Sequence, residues 1–153
     1  MAYALITGAS KGIGKEVAHE LAAKGYDLLL IARNSYELQM VKEEFEKKYG
    51  VKVDYLVADL SEIGSVDRIV TWVEEMKVDL RILVNNAGVT RDGLLMRMKE
   101  EDWDVVLDTN LKGAFNTVKA FMRTLMKAED PRIINIASVI GLIGNAGQAN
   151  YSA

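Results

Sequence analysis

The stretch that decides the fold is Thr7-Gly8-Ala9-Ser10-Lys11-Gly12-Ile13-Gly14, which joins a short apolar run to an amphipathic segment. Residues 3–7 are typical of a buried strand, and residues 15–24 have the three-to-four spacing of a helix. Glycines in such a turn let the backbone approach a pyrophosphate, and the helix N-terminus offers free amides and a positive dipole. The stretch predicts a phosphate-binding turn, with a glycine-rich connection that binds nothing as the alternative.

Four further apolar runs follow the first, and longer amphipathic segments separate them. Their continuous apolarity predicts strands covered on both faces, and helices between successive strands require parallel crossovers. We therefore expect an α/β Rossmann fold, a doubly wound parallel sheet in three α/β/α layers with strand order 3-2-1-4-5. The 153 residues suffice for one domain, residues 1–153. The predicted strands are Tyr3–Thr7, Asp27–Ala32, Val53–Ala58, Leu80–Asn85 and Arg132–Ala137.

Composition restricts the classes of partner and ligand. A net charge of -3 gives no general attraction to nucleic acid or to an anionic membrane. The chain has no cysteine, and its single histidine, His19, is expected on the polar face of the first helix, so we predict no metal site. The first residues lack a basic leader and no apolar run approaches membrane-spanning length, which makes the cytoplasm the expected location.

The segment from about Glu100 to Lys127 is predicted as a long helix with one apolar stripe. Asn110 is the polar member of that stripe, and a buried amide costs about 1 to 3 kcal/mol if it is unpaired. It therefore has either structural hydrogen-bond partners or a functional role. Phe115, Met122 and Met126 form a second apolar patch, which either covers a loop or meets another subunit. We favour an interface in a homo-oligomer. The predicted stripe is Trp103, Leu107, Asn110, Ala114, Val118, Phe121 and Leu125.

Three motifs together carry a family resemblance. The glycine spacing is G-x-x-x-G-x-G, Asn85-Asn86-Ala87-Gly88 follows the fourth strand, and Asp59 follows the third. With them the chain resembles the short-chain dehydrogenase/reductase family from end to end. The resemblance implies a nicotinamide dinucleotide at the carboxyl ends of the strands. The implied cofactor-binding residues are Gly8, Ser10, Lys11, Gly12, Ile13, Gly14, Arg33, Asp59, Leu60, Asn86, Ala87 and Gly88.

The residues after the second strand indicate which cofactor is bound. An acid there accepts the adenosine ribose hydroxyl, whereas an arginine suits a 2′-phosphate. Arg33 can contact a phosphate through its planar guanidinium, and Lys11 adds a second positive charge. No acid stands at the end of the second strand. The sequence thus favours NADP(H) over NAD(H), the alternative being that both bases point into solvent.

The family's catalytic set corresponds to Asn110, Ser138 and Tyr151. The resemblance implies that Ser138, expected at the end of the fifth strand, hydrogen-bonds a ketone oxygen while Tyr151 donates the proton and Asn110 holds a relay water. A phenol with an ordinary pKa of about 10 needs a nearby cation for this role near neutrality. The family places a lysine four residues after the tyrosine, at a position beyond Ala153. The chain therefore looks truncated after its catalytic tyrosine.

Residues 89–98 and 144–151 resemble the 3-oxoacyl-[acyl-carrier-protein] reductases of fatty acid synthesis. That resemblance implies a ketone substrate held on an acidic carrier protein, to which Arg91 and Arg97 offer positive charge. The segment Lys127-Ala128-Glu129-Asp130-Pro131-Arg132 is more acidic than is usual in those reductases, so a different small-molecule ketone stays open. Three classes remain: an active ketoreductase, a dinucleotide-binding fragment without turnover, and a scaffold on the same sheet.

Overall fold

A computed structural model describes residues 1–153. Its five strands form one parallel sheet. The strand order is β3-β2-β1-β4-β5, and all four neighbouring pairs are parallel. The predicted fold class and strand order are confirmed, and the strand bounds differ from the expected ones by no more than two residues. The strands are β1 Ala2–Thr7, β2 Asp27–Ala32, β3 Val53–Val57, β4 Asp79–Asn85 and β5 Arg132–Asn135.

Helices connect the strands and cover both faces of the sheet. The first begins at Gly12, three residues earlier than expected, because the chain enters the helix directly from the extended residue Lys11. The longest helix, Ser35–Tyr49, has Asn34 as its N-cap. Its C-cap is Gly50, which adopts the left-handed conformation with a φ of 68°. The helices are α1 Gly12–Ala23, α2 Ser35–Tyr49, α3 Ser65–Met76, α4 Glu100–Leu107, α5 Gly113–Leu125, α6 Ile140–Ile143 and α7 Ala149–Ser152.

The central strands are buried on both faces, which explains their unbroken apolarity. In β1, Ala4 and Ile6 belong to a core cluster with residues of α1 and α2. Tyr3 and Leu5 belong to a second cluster with residues of α3 and α5 on the opposite face. Successive side chains of a strand point to opposite faces, so each central strand contributes to two cores.

The segment from residue 100 to 127 is helical, but not as one regular helix. A π-helical turn over Asp108–Lys112 separates α4 from α5. Because such a turn contains more residues than an α-helical turn, it changes which of the following side chains point inward. Of the seven residues predicted for that stripe only Phe121 and Leu125 are fully buried, because Val106, Thr109 and Thr117 take the inward positions. The expectation of a single 3.6-residue period was wrong at this turn.

His19 is less exposed than its position on the polar face of α1 suggests. Its ring contacts Tyr49 edge-on, with centroids 5.3 Å apart, and lies 6.0 Å from the ring of Phe45. Its Nε2 is 3.1 Å from Lys48 Nζ. The residue is therefore part of the packing between α1 and α2 rather than a free surface side chain.

Strand β5 is the edge of the sheet next to the candidate catalytic residues. Ile133, Ile134 and Ile136 remain 37%, 39% and 37% exposed, whereas the residues of β1 and β2 are almost completely buried. The strand ends at Asn135, so Ser138 lies three residues beyond it rather than at its end as expected. None of the helices combines the length and apolarity needed to cross a lipid bilayer.

Candidate functional site

The predicted phosphate-binding turn leads directly from β1 into α1. Gly8 and Gly12 adopt positive φ values of 66° and 56°, which favour glycine. Gly14 is required for a different reason: a Cβ there would lie 2.2 Å from Gly8 O and 2.3 Å from Asn86 Nδ2. The turn therefore presses against the loop after β4, and the first amides of α1 have no partner within the helix.

The loop after β4 is held against the glycine turn by Thr7 and Asn86. Thr7 Oγ1 accepts hydrogen bonds from the backbone N–H groups of Asn86 and Ala87, both at 3.0 Å, and donates to Val84 O at 3.4 Å. Asn86 Nδ2 donates to Thr7 O at 3.1 Å and to Gly8 O at 3.0 Å. Sequence reasoning missed Thr7, although a hydroxyl at the end of the first strand was the available signal.

A cavity of about 640 Å³ opens at the carboxyl ends of the central strands. It brings together nine of the twelve residues predicted for the cofactor, with Gly12, Ile13 and Gly14 outside its lining. Ile13 instead lines a second cavity, and Gly12 and Gly14 shape the turn. The nine are Gly8, Ser10, Lys11, Arg33, Asp59, Leu60, Asn86, Ala87 and Gly88.

Charges of both signs line this first cavity. Burial alone would raise the pKa of Asp59, but two hydrogen bonds from Ser61, at 3.0 and 2.8 Å, and the charge of Arg33 outweigh it and lower that pKa. Arg33 Nη1 lies 3.8 Å from Asp59 Oδ2. Glu37, in the first turn of α2, also lines the cavity, so the cavity that contains Arg33 contains a second acid besides Asp59.

The second cavity, of about 800 Å³, contains all three candidate catalytic residues, Asn110, Ser138 and Tyr151. It shares the loop from Asn86 to Val89 with the first cavity, so the two cavities adjoin at this loop. Its lining includes no lysine, arginine, histidine or acidic side chain. Among residues 1–153, Tyr151 is thus its only titratable side chain.

Asn110 lies in the π-helical turn, and its side chain forms two hydrogen bonds with the backbone of one residue, Val89. Its Oδ1 accepts from Val89 N at 2.8 Å, and its Nδ2 donates to Val89 O at 2.9 Å. A Cβ at Gly88 would lie 3.4 Å from the same Oδ1, so the loop passes close to the amide. The structural partners expected for this half-buried amide are therefore present, and they fix the wall shared by both cavities.

Asn150 was not predicted as a site residue, yet it anchors the segment that carries Tyr151. It is 1% exposed, and its Nδ2 donates to Arg91 O at 2.8 Å and to Asp102 O at 3.1 Å. Its Oδ1 accepts from Tyr151 N at 2.8 Å. Asn150 consequently ties the tyrosine to the loop after β4 and to α4.

The comparisons with known proteins agree with this arrangement. Residues 2–153 match the family model described as short chain dehydrogenase. The 3-oxoacyl-[acyl-carrier-protein] reductase FabG of Staphylococcus aureus strain Mu50 is 44% identical over 151 residues, which are 98% of this chain and 61% of that protein. FabG of Escherichia coli strain K12 is 41% identical over 150 residues, 98% of this chain and 60% of that protein.

A solved structure shows the same fold. An alcohol dehydrogenase from the archaeon Thermococcus sibiricus, complexed with 5-hydroxy-NADP, superposes with a TM-score of 0.93 at 32% identity. The match covers 99% of this chain and 64% of that one. The chain therefore spans about three fifths of the length of the curated relatives that it matches.

Proposed function

Because this chain belongs to the short-chain dehydrogenase family, we propose that residues 1–153 form a dinucleotide-binding Rossmann domain that holds NADP(H) over the carboxyl ends of β1, β2, β3 and β4. One observation carries the proposal: a single cavity joins the glycine turn, Arg33 and the loop from Asn86 to Gly88. Amides at the start of α1 suit a pyrophosphate, and Arg33 with Lys11 suits a 2′-phosphate. The Thermococcus sibiricus relative, complexed with 5-hydroxy-NADP, supports the same cofactor class.

The phosphate assignment is tested by Arg33→Asp. We expect NADPH affinity to fall about tenfold or more while NADH affinity changes about twofold, because a charge-assisted contact is lost only with the phosphate. Titration calorimetry with both nucleotides measures the two affinities. Arg68→Asp, on the exposed side of α3, makes the same charge change away from both cavities and serves as the control. Equal losses for the two nucleotides contradict the assignment, and an unmodified chain that binds neither contradicts the site.

For the reaction we propose the reduction of a ketone to an alcohol. Bound NADPH supplies the hydride. Ser138 Oγ hydrogen-bonds the carbonyl oxygen, and the Tyr151 hydroxyl donates the proton to it. The two bonds to Val89 use one donor and one acceptor of the Asn110 amide, and through them Asn110 fixes the cavity wall. Its second N–H and the other lone pair of Oδ1 remain able to hold the relay water that the family resemblance implies.

A second candidate, nucleotide binding without turnover, is favoured by the lining of the catalytic cavity. No basic side chain stands beside Tyr151 within residues 1–153. We expect the 153-residue polypeptide to bind NADPH without reducing an acetoacetyl thioester at neutral pH. Single-turnover absorbance of bound NADPH measures this, with intact mass recorded on the same sample. Rapid oxidation that depends on the thioester contradicts the second candidate and establishes the ketoreductase.

We infer that the ketone is a 3-oxoacyl thioester on acyl carrier protein. The support is the identity to the two FabG proteins and two exposed bases, Arg97 and Arg91, of which Arg91 directly follows the cavity residue Thr90. Exchanging both arginines for glutamate should weaken binding of an acidic carrier protein about tenfold, and more at low salt. Fluorescence anisotropy measures it. An unchanged affinity favours a small ketone free in solution.

We also propose that α5 meets a second copy of the chain. Phe115 and Met126 are 59% and 77% exposed, and Met122 lies between them on the same patch. Burying such a patch is favourable by roughly 25 cal/mol for each Å² of apolar surface. Sedimentation of Phe115→Glu against the unmodified chain tests this, and an unchanged monomer in both contradicts it. Location in the cytoplasm stays a prediction from composition.

A further inference from the structure

Glu37 is the one acidic side chain of the first cavity that has no partner. The cavity is lined by two basic side chains, Lys11 and Arg33, and by two acidic ones, Asp59 and Glu37. Asp59 is engaged by Ser61 and lies beside Arg33. The carboxylate of Glu37 forms neither an ion pair nor a hydrogen bond, although the residue is half-buried. An acidic residue without a side-chain partner therefore lines the cavity in which the cofactor is proposed to bind.

Helix capping is the ordinary explanation for an acid at this position. Asn34 and Glu37 have the spacing of a capping box, in which each side chain bonds the backbone N–H of the other. Only one half of the box is formed: Glu37 N donates to Asn34 Oδ1 at 3.1 Å. The return bond from Asn34 N to the Glu37 carboxylate is absent. The Glu37 carboxylate thus takes no part in capping α2, although the residue lines the cavity.

We propose that Glu37 determines the cofactor specificity of this site, an inference that rests on the proposed dinucleotide function. Its carboxylate accepts a hydrogen bond from a ribose hydroxyl of NAD(H) and repels the 2′-phosphate of NADP(H). Arg33 and Lys11 act in the opposite sense. The site therefore binds both nucleotides, and Glu37 limits the preference for the phosphorylated one.

The test compares Glu37→Gln with the unmodified chain in titrations with NADPH and NADH. Glutamine keeps the size of the side chain and removes the charge. We expect NADPH to bind about three- to tenfold more tightly and NADH about two- to threefold more weakly, so the two affinities move in opposite directions. The gain for NADPH should shrink as salt rises from about 0.05 to 0.5 M. Glu43→Gln, on an exposed part of α2, removes the same charge outside the cavity and should change neither affinity.

The outcomes separate this inference from the proposed function. If Glu37→Gln changes both affinities by the same factor, or only lowers the thermal midpoint, then Glu37 is a helix-capping residue and the specificity role is overturned. If Glu43→Gln has the same effect as Glu37→Gln, general charge accounts for the shift and the role is overturned as well. If the unmodified chain binds neither nucleotide, the proposed function fails and this inference with it.

Discussion

The centre of the sheet and its β5 edge differ in how completely they are enclosed. Leu5 of β1 and Leu30 of β2 are fully buried between two helical layers, whereas Ile133 and Ile134 of β5 are 37% and 39% exposed. An exposed apolar edge strand also presents unpaired backbone groups. The central strands with the loops after β1 and β4, called the platform below, are consequently well enclosed. The catalytic edge, which is β5 with the segment that leads to Tyr151, depends on a few specific contacts.

Hydrogen bonds show the same difference between the platform and the catalytic edge. At the platform, Thr7 and Asn86 connect the turn after β1 with the loop after β4 through four side-chain bonds between segments about 80 residues apart. At the catalytic edge, the segment before Tyr151 is attached mainly by Asn150 and by the bond from Gly93 N to Gly147 O at 2.8 Å. Local unfolding should therefore begin at the catalytic edge.

The largest effect is expected from adding a single methyl group at Gly14 in the platform. Gly14→Ala places a Cβ 2.2 Å from Gly8 O, and the backbone there has little room to yield. We expect a loss of about 3 kcal/mol in the free energy of unfolding and no measurable nucleotide binding. Urea denaturation and NADPH titration measure the two effects.

The matched control for that substitution lies at the catalytic edge. Gly141→Ala also adds a methyl group to a helix, but its Cβ would meet only Ser152 O at 3.7 Å, an ordinary contact. Helix propensity alone then predicts a stabilisation of up to about 1 kcal/mol. If the two variants lose equal stability, the contrast between a tight platform and an open edge is wrong.

The hydroxyl of Thr7 tests the hydrogen bonds of the platform. Thr7→Val keeps the shape of the side chain but leaves the N–H groups of Asn86 and Ala87 without an acceptor, so we expect a loss of about 2 to 3 kcal/mol. Ser138→Ala, which removes one 3.2 Å bond from Ile140 N at the catalytic edge, should cost less than about 1 kcal/mol. Chemical denaturation of both variants gives the ranking, and a reversed order contradicts it.

The sequence predicts the platform well because its determinants are local. Each strand is a continuous apolar run, and the glycine turn identifies the first crossover, from which the strand order follows. The role of Thr7 was not predictable in this way, since its partners lie about 80 residues further along the chain. The sequence also did not point to Glu37 as a residue of the cavity, because the specificity rule concerns the end of the second strand, while Glu37 lies in the first turn of α2.

The catalytic edge was predicted less completely, for a different physical reason. A 3.6-residue period cannot reveal the π-helical turn at Asp108–Lys112, which changes the inward positions of the following helix. In the sequence Asn150 is simply the residue before Tyr151. Only the fold shows that it is buried and bonded to Arg91 O and Asp102 O. Polar residues that bridge distant segments leave no periodic signal.

Asn150 provides an intermediate effect at the catalytic edge. Asn150→Ala removes its bonds to Arg91 O and Asp102 O and should cost about 1 to 2 kcal/mol. Amide exchange over residues 144–152 should then accelerate while β1 stays protected. Asn145→Ala, which removes an exposed bond to Gln148 Oε1, is the control and should change exchange little. Uniform acceleration across the sheet indicates that the edge is not an independent unit.

The smallest expected effect is a pH dependence of the stability that Asp59 gives to the platform. Burial works to raise the pKa of Asp59, but the hydrogen bonds from Ser61 and the charge of Arg33 lower it overall. A carboxylate whose pKa is lower in the folded state stabilises the fold above the unfolded pKa of about 3.9, and that contribution disappears as pH falls through the folded pKa.

Asp59→Asn should therefore destabilise the protein at neutral pH, by less than about 1 kcal/mol for so weakly enclosed a pair, and the two proteins should converge in acid. Urea midpoints measured from about pH 7 down to about pH 2 follow the convergence. Asp104→Asn, at an exposed position of α4, controls for the loss of one acid. A difference that stays constant across the whole pH range means that Asp59 acts by shape rather than by charge, and the platform then owes its stability to packing and uncharged hydrogen bonds alone.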